Sequence, residues 1–449
     1  MNNQYCRMKN LFRIVSSIVL LCTAVQHFVF AQIEENEVMA TIPAEPEAQV
    51  TLANWTHPPF NRWAFRNVGI HPSVMVTRSD DTVRLPSKPN QEIASLEFRW
   101  DGKTYTVRDA MLRDETDGIV VIHDGSIVYE EYFGDFTEHD HHLWASSTKS
   151  FTGLCLGILV GQGKIDPTKL VETYLPELKD TYFGQRTVRE VLNMVSALGY
   201  SEDYVAFTEG APATEYFKRV GFIPGYDLVG LDPTKDDTPR GILAFLPKFE
   251  ANPDLDPGEK FEYHSPNVDV AGWIVSRVSG MPLNKFAAAH VWSKLGVEHD
   301  AFFWTDLNFN PVATGGFNTT LRDFARIGLA VQNNGFYNGH QVFPESWIKD
   351  TFALTDEERR HGANSDYRQE GSPIYDPWLE GYKNFLWVHD SKERIGSFRG
   401  VFGQVLYINQ DARVVIATFS SALSASNASR EANKPRMAAF DAIAEHLNP

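Results

Sequence analysis

The sequence predicts an α/β protein in which strands from both ends of the chain share a domain and a mainly helical segment lies between them. Three features carry that reading: a hairpin signal at Asp124-Gly125, an apolar helical repeat beginning at Phe151, and strand-like runs that return from residue 385. Residues 118–123 and 126–132 are rich in β-branched and aromatic side chains and flank the Asp-Gly pair, which suits a tight hairpin turn. Phe151, Leu154, Cys155, Ile158 and Leu159 fall at i, i+3, i+4, i+7 and i+8, one face of a helix. Helices are further expected over 188–195, 268–278, 286–295 and 321–331. Strands are expected over 385–388, 403–408 and 413–419, the last two joined by residues 409–412, with a final helix over 436–447. The implied layout is a leader over 1–31, an N-terminal extension over 32–95, an α/β domain formed by 96–165 and 310–449, and a mainly helical domain over 166–309. A cleft between these domains is the expected site.

Charge narrows the partners. The chain carries 58 acidic and 41 basic side chains, a formal net charge of −17, and loss of Arg7, Lys9 and Arg13 with the leader leaves −20. Nucleic acid and anionic lipid surfaces are excluded as expected partners. The leader reading itself rests on those three cations, the mostly apolar run 14–30, and Val29-Phe30-Ala31 before Gln32, where a signal peptidase finds small side chains. A membrane anchor is the competing reading, but Ser16, Ser17, Thr23, Gln26 and His27 interrupt the run, and bulky Leu21 disfavours lipidation at Cys22. Export to the periplasm or medium is therefore expected, with no stable membrane association after cleavage. Cys6 and Cys22 leave with the leader, so Cys155 alone remains and no intramolecular disulfide can form. Its place in an apolar helix makes it a buried small hydrophobe.

Ser146-Ser147-Thr148-Lys149 is an S-x-x-K motif at the start of the expected helix. Spacing of three puts both side chains on one face, and serine needs such a neighbour, either as base or as a charge that tunes another base. About two such matches are expected by chance at average composition, and Ser346-Trp347-Ile348-Lys349 is the second. No G-x-S-x-G, Walker A or H-E-x-x-H motif is present, and Glu138-His139-Asp140-His141-His142 lacks regular metal spacing and reads as a solvated loop. Trp144 is either pocket lining or core.

Several separated stretches resemble one family in its order: residues 58–65, the S-x-x-K-S turn at 146–150, Ser201-Glu202-Asp203-Tyr204, residues 261–270 around Tyr263, and Gly400-Val401-Phe402-Gly403-Gln404. From Trp55 onward the chain is similar to the serine β-lactamase/penicillin-recognising superfamily, and within it to the 6-aminohexanoate-dimer hydrolase branch. The resemblance implies a β-lactamase/transpeptidase-like antiparallel sheet flanked by helices, with a mainly helical inserted domain. It implies Ser146 as acylated nucleophile, Lys149 as its proton-handling neighbour and Tyr263 as second base and acid, with a nearby cation favouring the phenolate. Literal Y-x-N patterns also stand at Tyr382 and Tyr407, whereas Tyr263 is followed by x-Ser265. Ser265 is implied to bond the Lys149 ammonium or substrate, with turn capping as the alternative.

Backbone N–H groups of Ser146 and Val401 are implied as the oxyanion hole, with Gly400 admitting substrate backbone. Arg399-Gly400-Val401 replaces the superfamily's usual K-T-G, so Arg399 is implied to supply the missing charge where it points into the cleft. Thr314 is implied in the substrate pocket and Tyr204 in a lid. The expected protein is an exported serine hydrolase that cleaves a small-molecule amide or ester through an acyl-enzyme, without metal or cofactor. A D-amino-acid peptidase, a β-lactamase and a non-catalytic penicillin-binding-like receptor are the alternatives.

Overall fold

Asp124 and Gly125 both take positive φ, +48° and +74°, and turn strand β1 (Thr116–His123) back into β2 (Ser126–Tyr132) with His123 opposite Ser126. The computed structural model describes residues 33–202, 210–223, 241–426 and 431–448. The expected leader and Tyr204 lie outside the described residues. The hairpin joins β3 (Gly381–Lys383), β4 (Leu386–Asp390), β5 (Ile395–Gly400), β6 (Gln404–Asn409) and β7 (Val414–Ser420) in a seven-stranded antiparallel sheet, ordered β3-β4-β5-β6-β7-β1-β2. Strands from early and late in the chain thus form one sheet, as the sequence predicts.

The central strands are buried on both faces, and strict alternation assigns each side chain to one of two cores. Ile119, Val121, Val405, Tyr407, Val414 and Ile416 pack with α1 (Val107–Arg113) and the C-terminal helix, through Met111, Phe440 and Ile443. Val120, Ile122, Leu406, Ile408, Val415 and Ala417 belong to the larger core. That core also takes side chains from α2 (Ser147–Gly161), α3 (Pro266–Ser279) and α4 (Leu321–Gln332). The C-terminal helix, α5, spans Asn433–Leu447.

Element positions follow the periodicity for the hairpin, α3, α4 and α5, whereas α1, β3 and the helices Pro212–Val220, Glu345–Phe352 and Asp356–Asn364 carried no expectation. The helix expected over 286–295 is Leu283–His290 followed by a 3-10 turn at Trp292–Lys294. The periodicity marked neither strand β5, which only the resemblance placed near Arg399–Val401, nor a second, four-stranded sheet (Ser73–Val76, Ala301–Trp304, Phe317–Thr319, His142–Leu143). Finally, α2 presents no solvent face over most of its length, residues 147 to 159 all being buried. Its expected single apolar stripe is only part of a helix enclosed on all sides, and a Cβ at Gly157 would fall 2.3 Å from the Trp347 indole nitrogen.

The chain divides into two compact units, Met1–Phe65 and Arg66–Pro449. In the first, 3-10 turns at Glu35–Glu37 and Pro46–Ala48 precede a helix beginning at Phe60, and Trp55 meets Phe65 edge-on with centroids 5.9 Å apart. Among the described residues no helix is long and apolar enough to cross a membrane.

Candidate active site

Ser146 sits where the short strand His142–Leu143 turns abruptly into α2. The Trp144 N–H bonds Phe317 O at 2.8 Å, Ala145 takes φ +46°, and Ser146 adopts helical angles as the helix N-cap. Thr148 locks the turn, its hydroxyl donating to Ala145 O at 2.7 Å and accepting the Phe317 N–H at 3.2 Å. Ser146 is 9% exposed, so its hydroxyl is held at the end of a buried helix.

One turn on, Lys149 is only 2% exposed. Its Nζ lies 3.0 Å from Ser146 Oγ, 2.7 Å from Thr314 Oγ1 and 2.9 Å from Thr314 O. Those are three partners for three ammonium protons. Burial pushes the amine down to about 8, against the pull of Glu202 and Asp269. In its neutral form the amine keeps two donors for Thr314 and directs its lone pair at the serine hydroxyl, the geometry for taking the Oγ proton. Thr314, itself buried, therefore belongs beneath the lysine; it does not line open pocket.

Tyr263 precedes α3, with Lys149 Nζ 5.2 Å from its ring centroid. The expected phenolate is not favoured. Burial, with Tyr382 and Glu202 nearby, pushes the phenol well above its ordinary value, so Tyr263 rests as a proton donor. Of the competing tyrosines, Tyr407 bonds Asp441 at 3.2 Å, whereas Tyr382 lies 6.1 Å from Tyr263 and stacks on Phe261. Ser265 bonds neither Lys149 nor open space: its hydroxyl donates to Glu202 Oε1 at 2.5 Å and its N–H to Oε2 at 2.6 Å.

Two carboxylates near the lysine received no role from sequence reasoning, although both stand inside the quoted stretches. Glu202 is one. Asp269, 3% exposed on the first turn of α3, accepts from the Tyr216 hydroxyl and the Thr314 backbone, and burial pushes its carboxyl up. A single acidic residue carries no spacing signal, so neither was recognisable without the fold.

Strand β5 closes the site. Ser147 Oγ donates to Gln404 O, at the start of β6, at 3.4 Å, and a Cβ at Gly400 would lie 2.3 Å from the Trp144 carbonyl oxygen, so only glycine lets the end of β5 reach the turn that carries Ser146. Val401 follows directly as the first residue of a 3-10 turn, Val401–Gly403.

A Beta-lactamase family model matches residues 108–440. The chain belongs to the beta-lactamase family. It is 30% identical over 385 residues to the 6-aminohexanoate-dimer hydrolase of Paenarthrobacter ureafaciens, covering 85% of this chain and 91% of that one. A Bacillus anthracis structure provisionally named a 6-aminohexanoate-dimer hydrolase superposes with TM-score 0.75 at 27% identity, covering 89% and 97%. A Bacteroides dorei protein provisionally named a beta-lactamase shares the fold at TM-score 0.56 and 18% identity, over 76% and 97%.

In this member of the beta-lactamase family Arg399 does not stand ready for a substrate carboxylate. It is 8% exposed, paired with Asp376, and bonded through Nε to Ser397 Oγ at 2.9 Å and through Nη2 to His389 Nε2 at 2.8 Å. The pairing with Asp376 removes the charge it was expected to supply. The second S-x-x-K is likewise ordinary: Ser346 is exposed and Lys349 pairs with Glu345 at 2.5 Å on the helix surface. Trp144 is core, fully buried against Phe317 and Phe324. The segment read as a solvated loop is so only in part, because His142 is buried, stacked on Phe419 at 4.7 Å and 3.2 Å from Asp117.

Proposed function

We propose that the chain is an exported serine hydrolase that cleaves an amide or ester bond of a small molecule through an acyl-enzyme on Ser146, in the manner of the 6-aminohexanoate-dimer hydrolases. The observation that carries this reading is the buried Lys149 amine 3.0 Å from Ser146 Oγ. Ser146 Oγ attacks the substrate carbonyl carbon and its proton passes to neutral Lys149. The oxyanion takes hydrogen bonds from the N–H groups of Ser146 and Val401, helped by the positive end of α2. Tyr263, protonated at rest, hands its proton to the leaving nitrogen or oxygen as the C–N or C–O bond breaks, and the phenolate then takes up the proton that the Lys149 ammonium received from Ser146. In deacylation the amine takes a proton from water, the hydroxide adds to the ester carbon, and Ser146 leaves with a proton returned to it.

The engaged Arg399 supports a substrate without a carboxylate at that position, which favours a plain amide or ester over a penicillin. The leader features at residues 1–32 support export, and N-terminal sequencing of exported protein is expected to begin at Gln32. The acyl-enzyme reading is tested with a matched p-nitrophenyl ester and p-nitroanilide bearing the same acyl group. A burst of one p-nitrophenol per active site is expected, with the two substrates converging on one turnover rate where deacylation limits. Failure to hydrolyse either substrate refutes the reading.

A further inference from the structure

The Glu202 carboxylate is bidentate, each oxygen taking one hydrogen bond from Ser265: the N–H at 2.6 Å and the hydroxyl at 2.5 Å. Ser265 is 2% exposed and is the N-cap of the 14-residue helix α3, where a carboxylate is also stabilised by the helix dipole. Tyr263 is two residues upstream, so the clamp holds the turn that carries the phenol. Glu202 also faces the hydroxyl-bearing side chains gathered around this site. Burial keeps the phenols of Tyr200, Tyr263, Tyr367 and Tyr382 protonated and the Glu202 charge adds to that effect, while on Lys149 the same charge favours the ammonium against burial. Among the described residues, the other ionisable groups facing Lys149 are Asp269 on α3 and Tyr263 itself.

We propose that Glu202 is a positioning residue of this site, clamping the turn between Tyr263 and α3 and supplying the negative charge against which Lys149 and Tyr263 exchange protons. The inference rests on the reading of Ser146 and Lys149 as the acylating pair. It gives Glu202 two separable effects. Loss of the clamp misplaces the phenol and lowers the rate at every pH. Loss of the charge removes a stabiliser of the ammonium, so Lys149 becomes neutral, and competent as a base, at lower pH.

The pH profile of kcat/KM for p-nitrophenyl acetate separates these effects, because it reports the ionisations of the free enzyme. Glu202→Gln keeps the size and one acceptor oxygen but loses the charge, and is expected to move the acid limb down by about 0.5 pH unit or more, roughly a threefold relative gain on that limb. Ser265→Ala weakens the clamp and keeps the charge, and is expected to lower the rate with the limb in place. Glu202→Asp, a second charge-retaining variant should Gln fold poorly, is expected to lose rate while holding the limb within about 0.2 unit. An unmoved limb in Glu202→Gln, or a limb in Glu202→Asp displaced by half a unit, overturns the proposal. Labelling of the same samples with a fluorophosphonate keeps the two readings apart. Wild-type protein unlabelled at Ser146 refutes the acyl-enzyme itself, whereas labelled protein whose acid limb ignores Glu202→Gln refutes only the part given to Glu202.

Discussion

The amine of Lys149 is 3.0 Å from the Ser146 hydroxyl and is held from its other side by both oxygens of Thr314. The arrangement fixes the nitrogen while leaving its protonation state to be set by burial and by two nearby carboxylates, Glu202 and Asp269.

That balance gives a pH dependence with a definite sign. Burial lowers the Lys149 amine to about 8, and the base is the neutral form, so acid protonates it and removes activity. The kcat/KM of the wild-type enzyme is expected to rise with pH through a midpoint near that value, and Lys149→Ala to lose at least about 10²-fold at the plateau, the lower end of general acid–base contributions. A profile flat from pH 6 to 9 contradicts the assignment.

Burial also distinguishes the two S-x-x-K motifs. Ser146→Ala is expected to abolish p-nitrophenyl ester hydrolysis and Ser346→Ala to leave it near wild type, since Lys349 is 61% exposed and paired with Glu345. Steady-state assay of both purified variants checks this, and equal activities refute it.

Much of this was legible in the sequence, for identifiable reasons. The Asp124-Gly125 hairpin and the spacing of Ser146 and Lys149 are local signals, and local geometry delivered them. Periodicity did not mark strand β5, because residues 395–400 read Ile-Gly-Ser-Phe-Arg-Gly, with glycines and polar groups where β-branched residues were sought. Those residues suit the position of the strand beside the turn that carries Ser146. Gly400 lets the Trp144 carbonyl approach, while Ser397 and Arg399 form a buried polar network with His389 and Asp376. Arg399 was named but misread, because Asp376, which engages it, is 23 residues away. Glu202 and Asp269 depend on contacts to residues far along the chain, which periodicity does not report.

Arg399 should accordingly behave as a stability residue. Arg399→Ala leaves Asp376, 4% exposed at its side chain, as an uncompensated buried charge, with an expected loss of about 3 kcal/mol or more in unfolding free energy. Urea denaturation measures this directly. A variant of wild-type stability with a selectively raised KM contradicts the structural role and restores Arg399 to substrate binding.

Cys155 is fully buried in α2, and burial pushes its thiol up, away from the reactive thiolate. A chain spanning residues 32–449, in which Cys155 is the sole cysteine, is expected to be inert to a thiol-reactive dye when native and to take up one equivalent on denaturation, with identical gel mobility with and without reductant. Rapid labelling of the native protein refutes the buried-thiol assignment.

Covalent labelling tests the Ser146–Lys149 pair most directly. Wild-type protein and the Ser146→Ala and Lys149→Ala variants are incubated with a fluorophosphonate, digested and mapped by mass spectrometry. One adduct is expected, on Ser146, absent from Ser146→Ala and formed at least about 10²-fold more slowly in Lys149→Ala. An adduct on another serine, or labelling of Lys149→Ala at the wild-type rate, contradicts the assignment of nucleophile and base.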